Sequence, residues 1–189
     1  ALFLDSLQLV CRLFLQRGGA IAPLPQNLIG KTPFVYHGVK VRMKSILFLC
    51  HGNICRSPMA EFVMKKLLAD AGRTDIRVES AALHTDEIGS DVHYGTRNVL
   101  REKGVPYAPR KAWLLTAAKA RQYDLLIGMD SYNIADLRRL VYPEDLPKIH
   151  SLLSFAGSTR SIADPWYTGD FNETFEDVSS GCAALLKTL

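Results

Sequence analysis

The sequence predicts an α/β fold built on a parallel sheet of four strands, and three observations carry that expectation. Short apolar runs bounded by turn residues alternate along the chain with segments of helical spacing. The first run, residues 45–49, is continuously apolar after its opening serine, as a central strand buried on both faces requires. The 189 residues also fall within the usual size of a single domain with a real core.

The elements follow in order. After the strand at 45–49, residues 58–71 carry Ala60, Val63, Met64, Leu67, Leu68 and Ala71 at helical spacing, and Gly72 ends that helix. Residues 77–81 read as the second strand and 96–103 as a helix ended by Gly104. A short helix at 116–122 precedes the third strand at 124–129, and 131–140 is helical. The fourth strand is 148–151, and residues 172–187 close the chain as a helix. Strands separated by helices imply parallel pairing through right-handed crossovers, with ligands bound at the carboxyl ends of the strands. Cys50 ends the first strand, Ser80 nearly ends the second and Asp130 follows the third, so chemistry converges on one rim.

That rim holds the most informative stretch, Cys50-His51-Gly52-Asn53-Ile54-Cys55-Arg56-Ser57-Pro58. A cysteine leaves an apolar strand, a tight loop follows, and an arginine and Ser-Pro open a helix. Such a loop places consecutive amide N–H groups around one point, and the helix aims its positive end at the same point. Positive charge there favours a thiolate on Cys50, while the Arg56 fork matches two phosphate oxygens. Gly52 and Asn53 tolerate the positive φ of a cradle; Ser57 suits an N-cap and Pro58 the first helical position. The spacing alone proves little, because Cys11 and Arg17 share it. Between those two lies Arg12-Leu13-Phe14-Leu15-Gln16, which has no glycine and merely continues a helix.

Cys50 to Pro58 with Met59-Ala60-Glu61 resembles the signature of the low-molecular-weight protein tyrosine phosphatases. A second match, Asp164-Pro165-Trp166-Tyr167, falls where that family keeps its general acid. Weaker matches lie at Glu79-Ser80-Ala81-Ala82, Gly104-Val105-Pro106 and Met129-Asp130-Ser131-Tyr132-Asn133. The resemblance covers residues 44–189. It implies a three-layer, flavodoxin-like phosphatase I fold with strand order 2-1-3-4 and helices on both faces. It further implies a phosphoric monoester hydrolase that cleaves phosphotyrosine and small aryl phosphates through a cysteinyl-phosphate. Cys50 attacks phosphorus, Arg56 and the amides from His51 to Arg56 hold the equatorial oxygens, and Asp164 protonates the leaving phenolate.

The same resemblance assigns supporting roles. Asn53 shapes the cradle, Ser57 and Ser80 belong to its hydroxyl network, and Ile54 lines the loop. Trp166 and Tyr167 form the aromatic wall for a phosphotyrosine ring. Cys55 corresponds to the second loop cysteine that can pair reversibly with the nucleophile. Asp130 is the rival acid, although capping the next helix is its simpler use. The chain also departs from the family pattern. Asp86, beside Glu87-Ile88-Gly89, stands where an aromatic second wall is common. A histidine that supports the loop asparagine in some members is replaced near Arg110.

Alternatives are weighed on the same residues. Arsenate reductases of this fold relay a disulfide through extra cysteines, and there are none between Cys55 and Cys182. Protein arginine phosphatases carry threonine where this loop has Ile54. A phosphopeptide-binding module would lack the acid that Asp164 supplies. Zinc spacing for Cys50, Cys55 and His51 finds no second pair, since His37, His84, His93 and His150 are scattered singly. No metal or organic cofactor is expected, because the loop and arginine supply positive charge.

A formal charge of +4 helps to attract phosphorylated proteins, and inorganic phosphate or other oxyanions as inhibitors, but is too small and scattered for nucleic acid. No apolar stretch is long enough to span a bilayer. Four irregularly spaced cysteines do not make a secreted disulfide scaffold, so a reducing cytoplasm is the expected setting. Residues 1–42 begin with an apolar, helix-compatible segment followed by Gly18-Gly19 and a Pro-rich connector. Asp5 and Arg12 argue against a secretory signal there. They read as an extension outside the catalytic fold, which occupies residues 43–189.

Overall fold

The structure, a computed structural model, describes residues 44–189 and two short strands upstream, Val35–Tyr36 and Val39–Lys40, which pair antiparallel. The Cys11–Arg17 pair and the apolar start of the chain lie outside the described residues. Residues 42–189 form one compact unit.

Its sheet contains β1 (Lys44–Cys50), β2 (Ile76–Ala82), β3 (Leu125–Gly128) and β4 (Ile149–Ser151). The strands lie in the order β2-β1-β3-β4, and every pair is parallel. In register, Phe48 of β1 faces Ser80 of β2 and Ile127 of β3. This is the order that the resemblance implies.

The alternation of side chains along β1 generates the layers, because successive residues of a strand point to opposite faces. Ile46, Phe48 and Cys50 belong to one core cluster with Met59, Val63, Met64 and Leu68 of α1 (Arg56–Asp70). Val178, Cys182 and Leu185 of α6 (Phe171–Leu186) complete that face. Leu47 and Leu49 join the opposite cluster with Ala81, Ala120, Tyr123, Leu126, Leu137 and Val141. Ala120 lies on α3 (Ala117–Ala120) and Leu137 on α4 (Ser131–Leu140). Burying β1 on both faces is what makes its sequence apolar at every position from 46 to 50.

The remaining elements differ from the sequence reading at their ends. The helix α2 spans Tyr94–Glu102 because His93, not a hydroxyl residue, caps it, with Nδ1 accepting from Gly95 N at 3.2 Å. Helix α1 begins at Arg56, two residues before Pro58, so Ser57 is not its N-cap. The Ser57 hydroxyl is engaged elsewhere, with the cysteine and asparagine of the loop. Gly72 and Gly104 both adopt positive φ, at 66° each, just after α1 and α2, where only glycine turns the chain without strain. A short helix α5 (Pro165–Thr168) and two 3₁₀ segments, Pro143–Lys148 and Leu152–Ala156, lack the periodicity that would have announced them.

Candidate active site

The loop after β1 turns at Asn53, whose φ of 59° is the one positive value at a non-glycine residue among the described residues. Asparagine tolerates that region better than other side-chain-bearing residues. Gly52 serves a different need. A Cβ there would stand 2.9 Å from Glu87 Cγ, so the loop passes too close to the neighbouring segment for any side chain. The loop then feeds α1, whose N-terminus has no side-chain cap. Its first-turn amides have no side-chain acceptor, and the positive end of the helix dipole lies at this terminus.

A chain of polar contacts holds that shape from behind. Asn53 Nδ2 donates to Ser57 Oγ at 2.8 Å and to Ser80 Oγ at 2.9 Å. Ser57 Oγ lies 3.1 Å from Cys50 Sγ. Since Ser57 accepts from Asn53, its own proton is free to point at the sulfur. Ser80 passes its proton on to Glu61 Oε2 at 2.6 Å. Arg110 closes the network, with Nη2 donating to Asn53 Oδ1 at 2.7 Å and to Ser80 O at 3.0 Å. Arg110 thus occupies the supporting position where the family pattern has a histidine, and Glu61 neutralises it at 3.7 Å. Glu61 belongs to the signature that carries the resemblance, but its role was not legible, because an acid in a helix gives no local signal of partners at Ser80 and Arg110.

Arg56 is buried and triply held. Its Nη1 donates to Asp130 Oδ2 at 2.6 Å and to Ile162 O at 3.3 Å, and its Nη2 to Asp164 Oδ2 at 2.5 Å. The Nε–H is buried and has no acceptor among the described residues. Burial works against the guanidinium's charge, but Cys50, Asp164 and Asp130 outweigh it and hold its pKa above the ordinary arginine value. A buried donor without an acceptor beside a pocket is what an incoming oxyanion needs.

Asp130 and Asp164 arrive by different routes. Asp130 follows β3 and caps α4, its Oδ1 accepting from Asn133 N at 2.6 Å. Asp164 caps α5, its Oδ1 accepting from Trp166 N at 3.1 Å while Oδ2 meets Arg56. The segment before Asp164 is pinned to the end of β3 by Ile162 N donating to Met129 O at 2.9 Å. The Asp-Pro pair is therefore both a helix start and a site residue.

These groups surround a pocket of about 210 Å³. Cys50, His51, Gly52, Ile54, Cys55 and Arg56 form its floor, and Asp164, Trp166 and Tyr167 one wall. Asp86 and Glu87 also line the pocket. Asn53, Ser57 and Ser80 are buried behind the floor rather than lining it. Asp130 reaches Arg56 from an adjoining groove, not from the pocket. Trp166 is 57% exposed and Tyr167 85%, so neither is core filler. His93 was not singled out, yet its ring packs edge-on against Trp166 at 5.8 Å and stacks on Phe171 at 5.1 Å. Its amide also donates to Ile54 O at 2.9 Å, which ties the aromatic wall to the loop. Burial, and then the charge of Cys50, push the Cys55 thiol up to about 12.

Comparison with known proteins agrees with this geometry. The family model for low molecular weight phosphotyrosine protein phosphatases matches residues 45–189. The low molecular weight protein-tyrosine-phosphatase YfkJ of Bacillus subtilis is 35% identical over 150 residues, 78% of this chain and 96% of that protein. Its crystal structure superposes with a TM-score of 0.74, covering 77% of this chain and 94% of that one. The low molecular weight protein tyrosine phosphatase SP-PTP of Streptococcus pyogenes gives a TM-score of 0.70 at 36% identity, over 78% and 93% of the two chains. A Drosophila arginine phosphatase shares the fold at 26% identity and a TM-score of 0.71, over 76% and 96%. The family model covers most of the chain and the two bacterial relatives are 35% and 36% identical over nearly their whole length, so this chain belongs to the low-molecular-weight phosphotyrosine protein phosphatase family.

Proposed function

We propose that the protein hydrolyses phosphotyrosine in proteins, and small aryl phosphates, by covalent catalysis on Cys50. The observation that carries this reading is the placement of Cys50, Arg56 and Asp164 on one pocket with an exposed aromatic wall. The phosphate dianion enters with its oxygens on the loop amides and the Arg56 fork, including the unpartnered Nε–H. Cys50 Sγ attacks phosphorus in line with the departing phenolate. As the dianion takes over the guanidinium, Asp164 leaves its pairing with Arg56, takes up a proton from solvent and delivers that proton to the phenolate oxygen. The same carboxylate then takes a proton from the water that cleaves the S–P bond, and inorganic phosphate departs. The chain's own residues supply every charge these steps require, with no cofactor.

Trp166 and Tyr167 support an aryl substrate because a flat ring packs against exposed aromatic faces. Asp86 and Glu87 in the pocket lining disfavour strongly acidic flanking sequences. The branched apolar Ile54 on the floor favours phosphotyrosine over phosphoarginine. The deciding experiment compares kcat/KM on one peptide carrying phosphotyrosine, phosphoarginine or phosphoserine. Phosphotyrosine is expected to lead, and a phosphoarginine lead would overturn the assignment. Vanadate and inorganic phosphate should inhibit competitively.

The setting proposed is the reducing cytoplasm, where the thiolate survives. Among the described residues no helix is long and apolar enough to cross a membrane. Residues 1–42 are read as an appendage, so a chain starting at Met43 should keep the full chain's kcat/KM.

A further inference from the structure

At the rim of the pocket, His51 of the loop meets His84 and Asp86 of a segment more than thirty residues downstream. His51 Nε2 lies 3.0 Å from Asp86 Oδ2, and the His51 and His84 rings stack at 4.1 Å with 12° between their planes. One ligand atom from each of His51, His84 and Asp86 lies within 4.8 Å of the other two. The singly scattered histidines of the sequence thus include a pair that the fold assembles. The backbone enforces their approach, since His84 N donates to His51 O at 3.1 Å, extending the β1–β2 pairing past the strand ends.

We propose that His51, His84 and Asp86 form a site for a borderline divalent cation of the Zn²⁺ type. Two imidazoles and a carboxylate are a donor set that such ions favour, and three protein donors leave a position for water. Asp136 Oδ2, 2.9 Å from His84 Nε2, supplies the outer carboxylate. Ligation through His84 Nδ1 leaves that hydrogen bond intact and fixes the ring. Stacked rings direct their in-plane lone pairs alongside one another, so binding turns one ring out of the stack. The side chains of His51, His84 and Asp86 are 54%, 42% and 66% exposed, and they have room for that turn. Because His51 and Asp86 belong to the pocket lining, a bound cation stands at its mouth and replaces an acidic rim with a positive one.

The test uses Cys50→Ser protein, so that the nucleophilic sulfur cannot hold the metal. Calorimetric titration with Zn²⁺ should show one ion per chain, and His84→Ala in that background should weaken binding by about tenfold or more. Co²⁺ in place of Zn²⁺ should give visible d–d absorption without a sulfur-to-cobalt charge-transfer band. With Cys50 present, His84→Ala should leave metal-free turnover of an aryl phosphate unchanged. Equal affinity with and without His84, a sulfur-to-cobalt band, or no binding at all would each overturn the site.

Discussion

Arg110 Nη2 donates to Asn53 Oδ1 across 2.7 Å, joining two residues that are 57 positions apart. Asn53 is also the residue whose backbone sits at φ 59°, the bend on which the cradle depends. Arg110 therefore acts through Asn53, and it positions the loop without lining the pocket.

Arg110→Ala should lower kcat/KM by about ten- to a hundredfold, the equivalent of roughly 1.5–3 kcal/mol for a charged hydrogen bond. Arg110→Lys should recover little of the loss, because an ammonium cannot reach Asn53 and Ser80 together as the planar fork does. Steady-state kinetics with vanadate affinity measured alongside will separate the readings. A loosened cradle weakens vanadate binding, whereas a purely global destabilisation leaves it intact in the folded fraction.

Asp164 is assigned the proton transfer and Asp130 the capping and Arg56-holding role. Asp164→Ala should slow a substrate with a poor phenol leaving group by about 10²–10⁴-fold, the usual contribution of a general acid. A substrate with a good leaving group should be far less affected. Asp130→Asn should raise KM for both substrates alike by releasing Arg56. A leaving-group dependence that appeared with Asp130→Asn in place of Asp164→Ala would exchange the two assignments.

The two loop cysteines should respond differently to an alkylating agent. Because burial and Cys50 push the Cys55 thiol up to about 12, Cys55 stays protonated through neutral and mildly alkaline pH. Its neutral form is the one favoured in the folded state, so its reactivity rises only as pH approaches that value. Iodoacetate at neutral pH should therefore modify Cys50 and spare Cys55, with inactivation tracking carboxymethylation of Cys50 in peptide mapping. Phosphate should protect. Labelling of Cys55 at the same rate would refute the assignment of roles.

The parts of this molecule written in local patterns were legible from the sequence, and the parts written in long-range contacts were not. The apolar run of β1, the glycines after α1 and α2 and the Cys50-to-Arg56 loop each carry their signal within a few residues. The start of α1 was misplaced because Ser57 looks like a cap, whereas its hydroxyl bonds the loop. The roles of Glu61 and His93, and the pairing of His51 with His84, went unseen for another reason. Each becomes meaningful only when the parallel pairing of β1 with β2, or the packing of α2 on α6, brings its partner close.

Gly95 tests the link between that packing and the substrate wall. A Cβ at this position would lie 2.5 Å from Phe171 Cε2 and Cζ, too close for a ring to share the space. Phe171 stacks on His93, and His93 braces Trp166 and bonds Ile54 O. Gly95→Ala should destabilise the fold by about 1–3 kcal/mol through overpacking. The displaced Phe171 should also shift His93 and Trp166, raising KM for aryl phosphates more than it lowers kcat. Denaturant unfolding together with kinetics on phosphotyrosine will measure both effects. A variant that lost stability but kept its KM would show that the aromatic wall is held independently of α2.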